Sequence, residues 1–131
     1  MRSRNRIFLL LLVVGVGCCI GGITMGSRIY HRTSNGLAQL PAAASAYLDA
    51  VRDGDLQKAY QQLCKQVRAH TTLQAFQANT RRITAYQILG VQVINGTQGR
   101  VQARLTLAEG AQSDQTIPFR LEDEQWRPCE P

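Results

Sequence analysis

ITAYQILGVQVINGTQGRVQARLTL, residues 83–107, carries the reading of the fold. In its second half Val101, Ala103, Leu105 and Leu107 alternate with Arg100, Gln102, Arg104 and Thr106. A period of two is the signature of a strand with one buried face and one wet face. The first half does not keep a single phase. Tyr86 and Ile88 share one face, while Val91 and Val93 share the opposite parity. Side chains on a strand alternate strictly, so a phase switch at Leu89-Gly90 predicts an extra residue, a β-bulge, and a bulge bends its strand. Asn95-Gly96 supplies a hairpin turn between the two halves.

Toward the C-terminus the same period continues. A loop is expected from Glu109 to Asp114, and then Ile117, Phe119 and Leu121 alternate in a third strand. Glu122-Asp123-Glu124 turns into a fourth, Gln125 to Cys129. Pro118 and Pro128 lack an N–H for a ladder, so each is expected at an edge, a bulge or a gap.

Toward the N-terminus the period becomes helical. Thr71 with Gln74 reads as a capping box for a short helix whose apolar contacts are Leu73 and Phe76. Leu56, Ala59, Tyr60, Leu63 and Val67 form the stripe of a longer helix, with Cys64 at its edge. Ala44, Tyr47, Leu48 and Val51 form a third stripe, and Pro41 suits its first turn, where a missing N–H costs nothing. Asp53-Gly54-Asp55 ends that helix, and Asp55 can cap the next. Three helices followed by a four-stranded antiparallel meander make an α+β domain over 41–131. The helices are expected to pack on the concave side of a bent sheet.

The remaining N-terminal third has a different character. Residues 7–26, IFLLLLVVGVGCCIGGITMG, contain no charge. Twenty helical residues would cover about 30 Å, the thickness of a hydrocarbon core. Arg2, Arg4 and Arg6 precede the stretch, and Arg28 and Arg32 follow it. The larger basic count on the N-terminal side predicts residues 1–6 as a cytoplasmic tail and the domain outside. Residues 27–40 then form a juxtamembrane linker. A cleaved signal peptide, or lipidation at Cys18, are the alternatives; all three readings place the domain outside the cytoplasm. Gly17, Gly21, Gly22 and Gly26 have the spacing that lets two spans approach closely, so a homodimer through this face is an alternative to a span in which glycine is simply common.

The formal charge of +6 belongs to the flanks of that stretch. Five of the fifteen Lys and Arg stand at 2, 4, 6, 28 and 32, and all nine acids lie beyond residue 48, which leaves ten basic against nine acidic residues in the domain, a net of +1. No charge field of the kind that binds nucleic acid is present. Of four cysteines, Cys18 and Cys19 are adjacent inside the apolar stretch. Cys64 and Cys129 remain, and in an oxidising compartment they are expected to pair; two unpaired buried thiols are the alternative.

AYLDAVRDGD, then LQKAYQQLC, a bent strand and a meander closing on Trp126-Arg127-Pro128-Cys129 resemble the cone-shaped nuclear transport factor 2-like (cystatin-like) superfamily. More narrowly, the chain is similar to small bacterial single-span proteins with such a domain outside the membrane. Tyr47-Leu48, Gly54-Asp55, Ala59-Tyr60 and Cys64 also carry the likeness, which covers about Pro41 to Cys129. It implies a fold and a location, and no activity.

Enzymes of that superfamily place an acid and a tyrosine deep in the cone. The corresponding candidates are Asp49, Tyr47, Tyr60 and Tyr86, with Trp126 as a further pocket or core residue. The tyrosines sit at core spacing, and no acid occupies an inward strand position. His31 and His70 stand apart from any cysteine or carboxylate at ligand spacing, so neither a metal site nor a cofactor is expected. Arg100, Arg104 and Arg120 share the polar sheet face and are candidates for contact with anionic lipid or polymer. The expectation is a non-enzymatic module that binds a protein or small ligand at the membrane. A hydrolase or isomerase using the cone pocket, and a structural subunit of a membrane complex, are the alternatives.

Overall fold

Two register shifts interrupt the pairing of the first two strands. The computed structural model describes residues 38–129. Strands β1 (Ile83–Val93), β2 (Gln98–Leu107), β3 (Gln112–Glu122) and β4 (Gln125–Pro128) form one antiparallel sheet in the order β1-β2-β3-β4. Ile88 stands opposite Ala103 and Gly90 opposite Gln102, so Leu89 is the extra residue of a bulge. A second shift, between Ile83 and Ala85, lets buried Ile83 and inward Tyr86 and Ile88 share a face despite opposite parity, while Thr84 and Ala85 are exposed.

The β2–β3 connection is tighter than the expected loop. β3 begins at Gln112, Gly110 takes φ 87°, and Leu107 N donates to Ala111 O at 2.8 Å. Residues 112–116 are all polar, so that part of the strand shows no alternation to read; its register comes from β2, with Arg104 opposite Asp114. β3 turns into β4 through Asp123 and Glu124, at φ 50° and 62°. Two left-handed residues in a two-residue turn match the twist of the flanking strands. Pro118 O accepts from Cys129 N at 2.8 Å. A strand residue's N and O point the same way, so the missing N–H of Pro118 faces the side where the β4 ladder has ended.

Helix α1 covers 38–52, α2 is Leu56–Gln62, α3 is Lys65–His70 and α4 is Leu73–Asn79. Residues 38–40 are helical and Leu40 is fully buried, so the domain takes in the end of the stretch read as linker. Asp55 caps α2, its side chain accepting from Lys58 N at 3.1 Å.

The long second helix expected from the stripe is divided. Leu63 and Cys64 are extended, with ψ 150° and 157°. Cys64 N donates to Pro128 O at 2.9 Å instead of to a carbonyl one turn back. The break exchanges one intrahelical bond for a bond to the end of β4, and it brings Cys64 against Cys129. Their sulfurs stand at disulfide distance, 1.97 Å, with Cα atoms 5.2 Å apart. The cap of α4 is Thr72, not Thr71: Thr72 Oγ1 accepts from Ala75 N at 3.2 Å, while Thr71 N closes the last turn of α3 on Val67 O.

The core gathers Leu40, Ala44 and Leu48 of α1, Ala59 and Leu63, and Val101, Ala103, Ile117, Phe119 and Trp126 of the sheet. Gly99 is the closest approach between layers. A Cβ there would lie 2.5 Å from Leu40 Cδ2 and 3.3 Å from both Gln92 O and Trp126 Cζ3. Helix α1 therefore enters the domain at the hairpin end of the sheet. Among the described residues no helix is long and apolar enough to cross a membrane. The predicted span Ile7–Gly26, with Gly17, Gly21, Gly22, Gly26 and Cys18, lies outside the described residues, as does His31.

Candidate functional site: an apolar pocket with a basic mouth

The helical stripes and the inward residues of β2 and β3 do not fully close on one another. They leave a half-open pocket of about 470 Å³ between α1, α3, α4 and the sheet. Tyr47, Val51, Val67, Phe76, Leu105 and Ile117 supply its apolar wall. Its rim is polar: Thr71, Asn79, Thr80, Arg81 and Gln115. Among the described residues Arg81 is the one charged residue of the lining, and no aspartate, glutamate or histidine contributes. The rim residues 79–81 join α4 to β1; in the sequence they are a polar, patternless run that gives no reason to single them out.

Of the aromatic candidates, only Tyr47 lines this pocket, and it is nearly buried. Tyr60 OH donates to Thr71 O at 2.8 Å, and its ring lies 5.8 Å from that of Phe76. That hydroxyl ties α2 to the end of α3. Tyr86 OH donates to Asp49 Oδ1 at 2.8 Å. Asp49 also pairs with Arg52 Nη1 at 3.0 Å. The acid and tyrosine of the sequence reading thus do meet, but neither lines the pocket, and the contact bridges α1 to the edge strand β1. Burial, and secondarily the bond to Asp49, push the Tyr86 phenol above its usual range. Trp126 packs at Gly99 and, with Gln125 and Arg127, lines a more open hollow at the β3–β4 turn.

The three candidate arginines separate. Arg104 Nε and Nη2 donate to Asp114 Oδ1 and Oδ2 at 2.7 and 2.9 Å, a two-point pair that holds the Asp114 carboxyl below its usual range. Arg100 and Arg120 instead line a second groove, of about 440 Å³, with Gln66 and His70. One metal-like set occurs among the described residues: Cys64, Cys129 and Glu122, with donor atoms within 4.8 Å of one another. It does not fit an ion as it stands. The two sulfurs bond to each other and carry no thiolate, and Glu122 Oε2 accepts from Lys65 N at 3.0 Å.

No family profile and no curated protein matches the sequence. Solved structures do. A Campylobacter jejuni protein named as an NTF2-like transpeptidase superposes with a TM-score of 0.51 at 9% identity, over 67% of this chain and 94% of that one. The fold is NTF2-like. The SEC-C motif protein RPA3114 of Rhodopseudomonas palustris superposes with a TM-score of 0.50 at 17% identity, over 63% and 69% of the two chains. At such identities the likeness speaks for the fold alone. In this NTF2-like domain the pocket lies between helices and the concave sheet face, where the layers part.

Proposed function

We propose that this chain is a membrane-tethered accessory module, held outside the cytoplasm by residues 7–26, whose NTF2-like domain binds a small apolar ligand with an anionic end. The observation that carries the reading is the lining of the concave pocket, apolar within and bearing Arg81 but no carboxylate at its rim. Apolar walls with a few convergent polar groups are what ligand sites offer. The absence of any acid from the lining argues against the isomerase or hydrolase alternative, which needs one to move a proton. The name of the Campylobacter neighbour raises acyl transfer. The pocket hydroxyls are those of Tyr47, Thr71 and Thr80, with no base beside them in the lining, and Thr80 Oγ1 already donates to Phe76 O at 2.6 Å.

The test is a methyl-resolved NMR titration of the full chain in lipid nanodiscs with 1-anilinonaphthalene-8-sulfonate and its neutral analogue N-phenyl-1-naphthylamine. Both probes are expected to shift the methyls of Leu105, Leu107 and Ile117 in a saturable way. Asn79→Trp should block both. Arg81→Gln should weaken the sulfonate alone, by about threefold to tenfold for a lost charge-assisted contact at an exposed rim. Unmoved pocket methyls, or equal loss of both probes in Arg81→Gln, would refute the reading.

A further inference from the structure

A second groove on the other flank of α3 carries two arginines where the concave pocket carries one. Gln66, His70, Ile94, Arg100, Phe119 and Arg120 line it, and among the described residues no acid does. The guanidinium of Arg100 makes no hydrogen bond or ion pair among the described residues. Arg120 makes one, from Nη1 to Gln66 Oε1 at 3.2 Å. Arg104 on the same sheet face is neutralised by Asp114 and takes no part. Beside the two arginines stands Ile94, 48% exposed and the most exposed large apolar side chain among the described residues.

The place of this groove in the chain matters as much as its charge. Gly99 lines it, and Gly99 is the residue against which Leu40 packs. Leu40, in the first described turn of α1, therefore stands at the rim of the groove. In sequence, Leu40 stands fourteen residues after Gly26, the end of the apolar stretch.

We infer that the Arg100–Arg120 groove, with Ile94 at its edge, is a docking surface for the phosphate headgroups of anionic phospholipid in the membrane that carries the tether. The inference rests on the proposed tether. Two guanidiniums without an ion-pair partner among the described residues meet lipid phosphates, Ile94 enters the headgroup layer, and the concave pocket, whose lining includes Ile83 and Leu107 at the far end of the sheet, stays accessible. Each arginine near an anionic surface contributes about fivefold in the docked-to-undocked ratio, so the pair contributes roughly 25-fold.

The experiment uses the full chain in nanodiscs containing a gadolinium-chelating headgroup lipid, and reads paramagnetic broadening of the backbone amides. With phosphatidylglycerol present, amides of Ile94 to Arg100 should broaden strongly and those of Arg81 to Ile83 should not. In pure phosphatidylcholine the contrast should largely vanish. Arg100→Gln with Arg120→Gln should abolish the phosphatidylglycerol dependence, whereas Arg104→Gln should keep it. Equal broadening in the two lipids, or a double variant that behaves like the parent, overturns the proposal. Inorganic phosphate that shifts the Arg100 and Arg120 signals in phosphatidylcholine discs as strongly as phosphatidylglycerol does would assign the groove to a soluble anion instead, which also overturns it. Release of the parent chain from membranes by a carbonate wash marks failure of the tether, a result separable from failure of the groove.

Discussion

Removing the Cys64–Cys129 link by Cys64→Ala with Cys129→Ala should lower the melting temperature far more than the loss of two small side chains would suggest. The sulfurs are 65 residues apart in sequence. Closing a loop of that size removes enough entropy from the unfolded chain to stabilise the fold by about 4 kcal/mol. For a domain of this size 1 kcal/mol moves the melting temperature by about 4–8 °C, so a drop of roughly 15–30 °C is expected. Cys64 is fully buried, and truncation there adds about 1 kcal/mol for lost contacts. The assay is a circular-dichroism melt of the full chain, with and without a dithiol reductant. The reduced parent should fall close to the double variant, because the stabilisation acts on the unfolded state and not through a native contact. The denaturant m-value should rise in both, since an unlinked unfolded chain exposes more surface. A parent that melts within about 5 °C of the double variant would refute the entropic argument, and two alkylatable thiols in the oxidised parent would refute the link itself.

Gly99→Ala should destabilise by about 1–3 kcal/mol, because a Cβ at this position overpacks against Leu40, the Gln92 carbonyl and Trp126. Chemical denaturation measures it, and Leu40→Val in the same chain should recover part of the loss, since Leu40 Cδ2 is the nearest obstacle. Tyr86→Phe should cost about 0.5 kcal/mol, the low end for a hydrogen bond, because Asp49 is 43% exposed. The Tyr86 phenol is raised in the folded state, so its contribution is fully present below the ordinary tyrosine pKa and is lost as pH climbs through the folded value. A parent whose stability relative to Tyr86→Phe stays constant across that alkaline range would contradict the assignment.

The strand phase switch illustrates what local pattern can reveal. Val93 sits on the opposite parity from Tyr86 and Ile88, and the extra residue at Leu89 lets all three pack against the core, while Val91 stays exposed. The polar start of β3 illustrates the converse. Gln112 to Thr116 show no apolar alternation because their partners, not their side chains, hold them in the sheet. The division of the second helix belongs with it. Leu56 to Val67 has one uninterrupted stripe, yet Cys64 leaves the helix to reach Pro128 and Cys129, a contact across the whole domain.

The site divides in the same way. Asp49 and three tyrosines, Tyr47, Tyr60 and Tyr86, were candidates only through the resemblance, and which tyrosine meets Asp49, and whether the pair faces a pocket or an edge strand, depends on how helices lie on a sheet. Arg81 and the 79–81 rim carried no signal, since a short polar connection looks alike whether it borders a cavity or solvent. Arg100, Arg104 and Arg120 looked equivalent on one face, and only cross-strand pairing with Asp114 removed Arg104 from the set. By itself the sequence determined the α+β order of elements, the bend in β1 and the cysteines that meet, because periodicity and spacing are properties of neighbours along the chain. The tertiary structure alone decided which side chains line the pocket, which arginines remain uncompensated and where α1 enters the domain, because those depend on residues that meet only once the layers have packed.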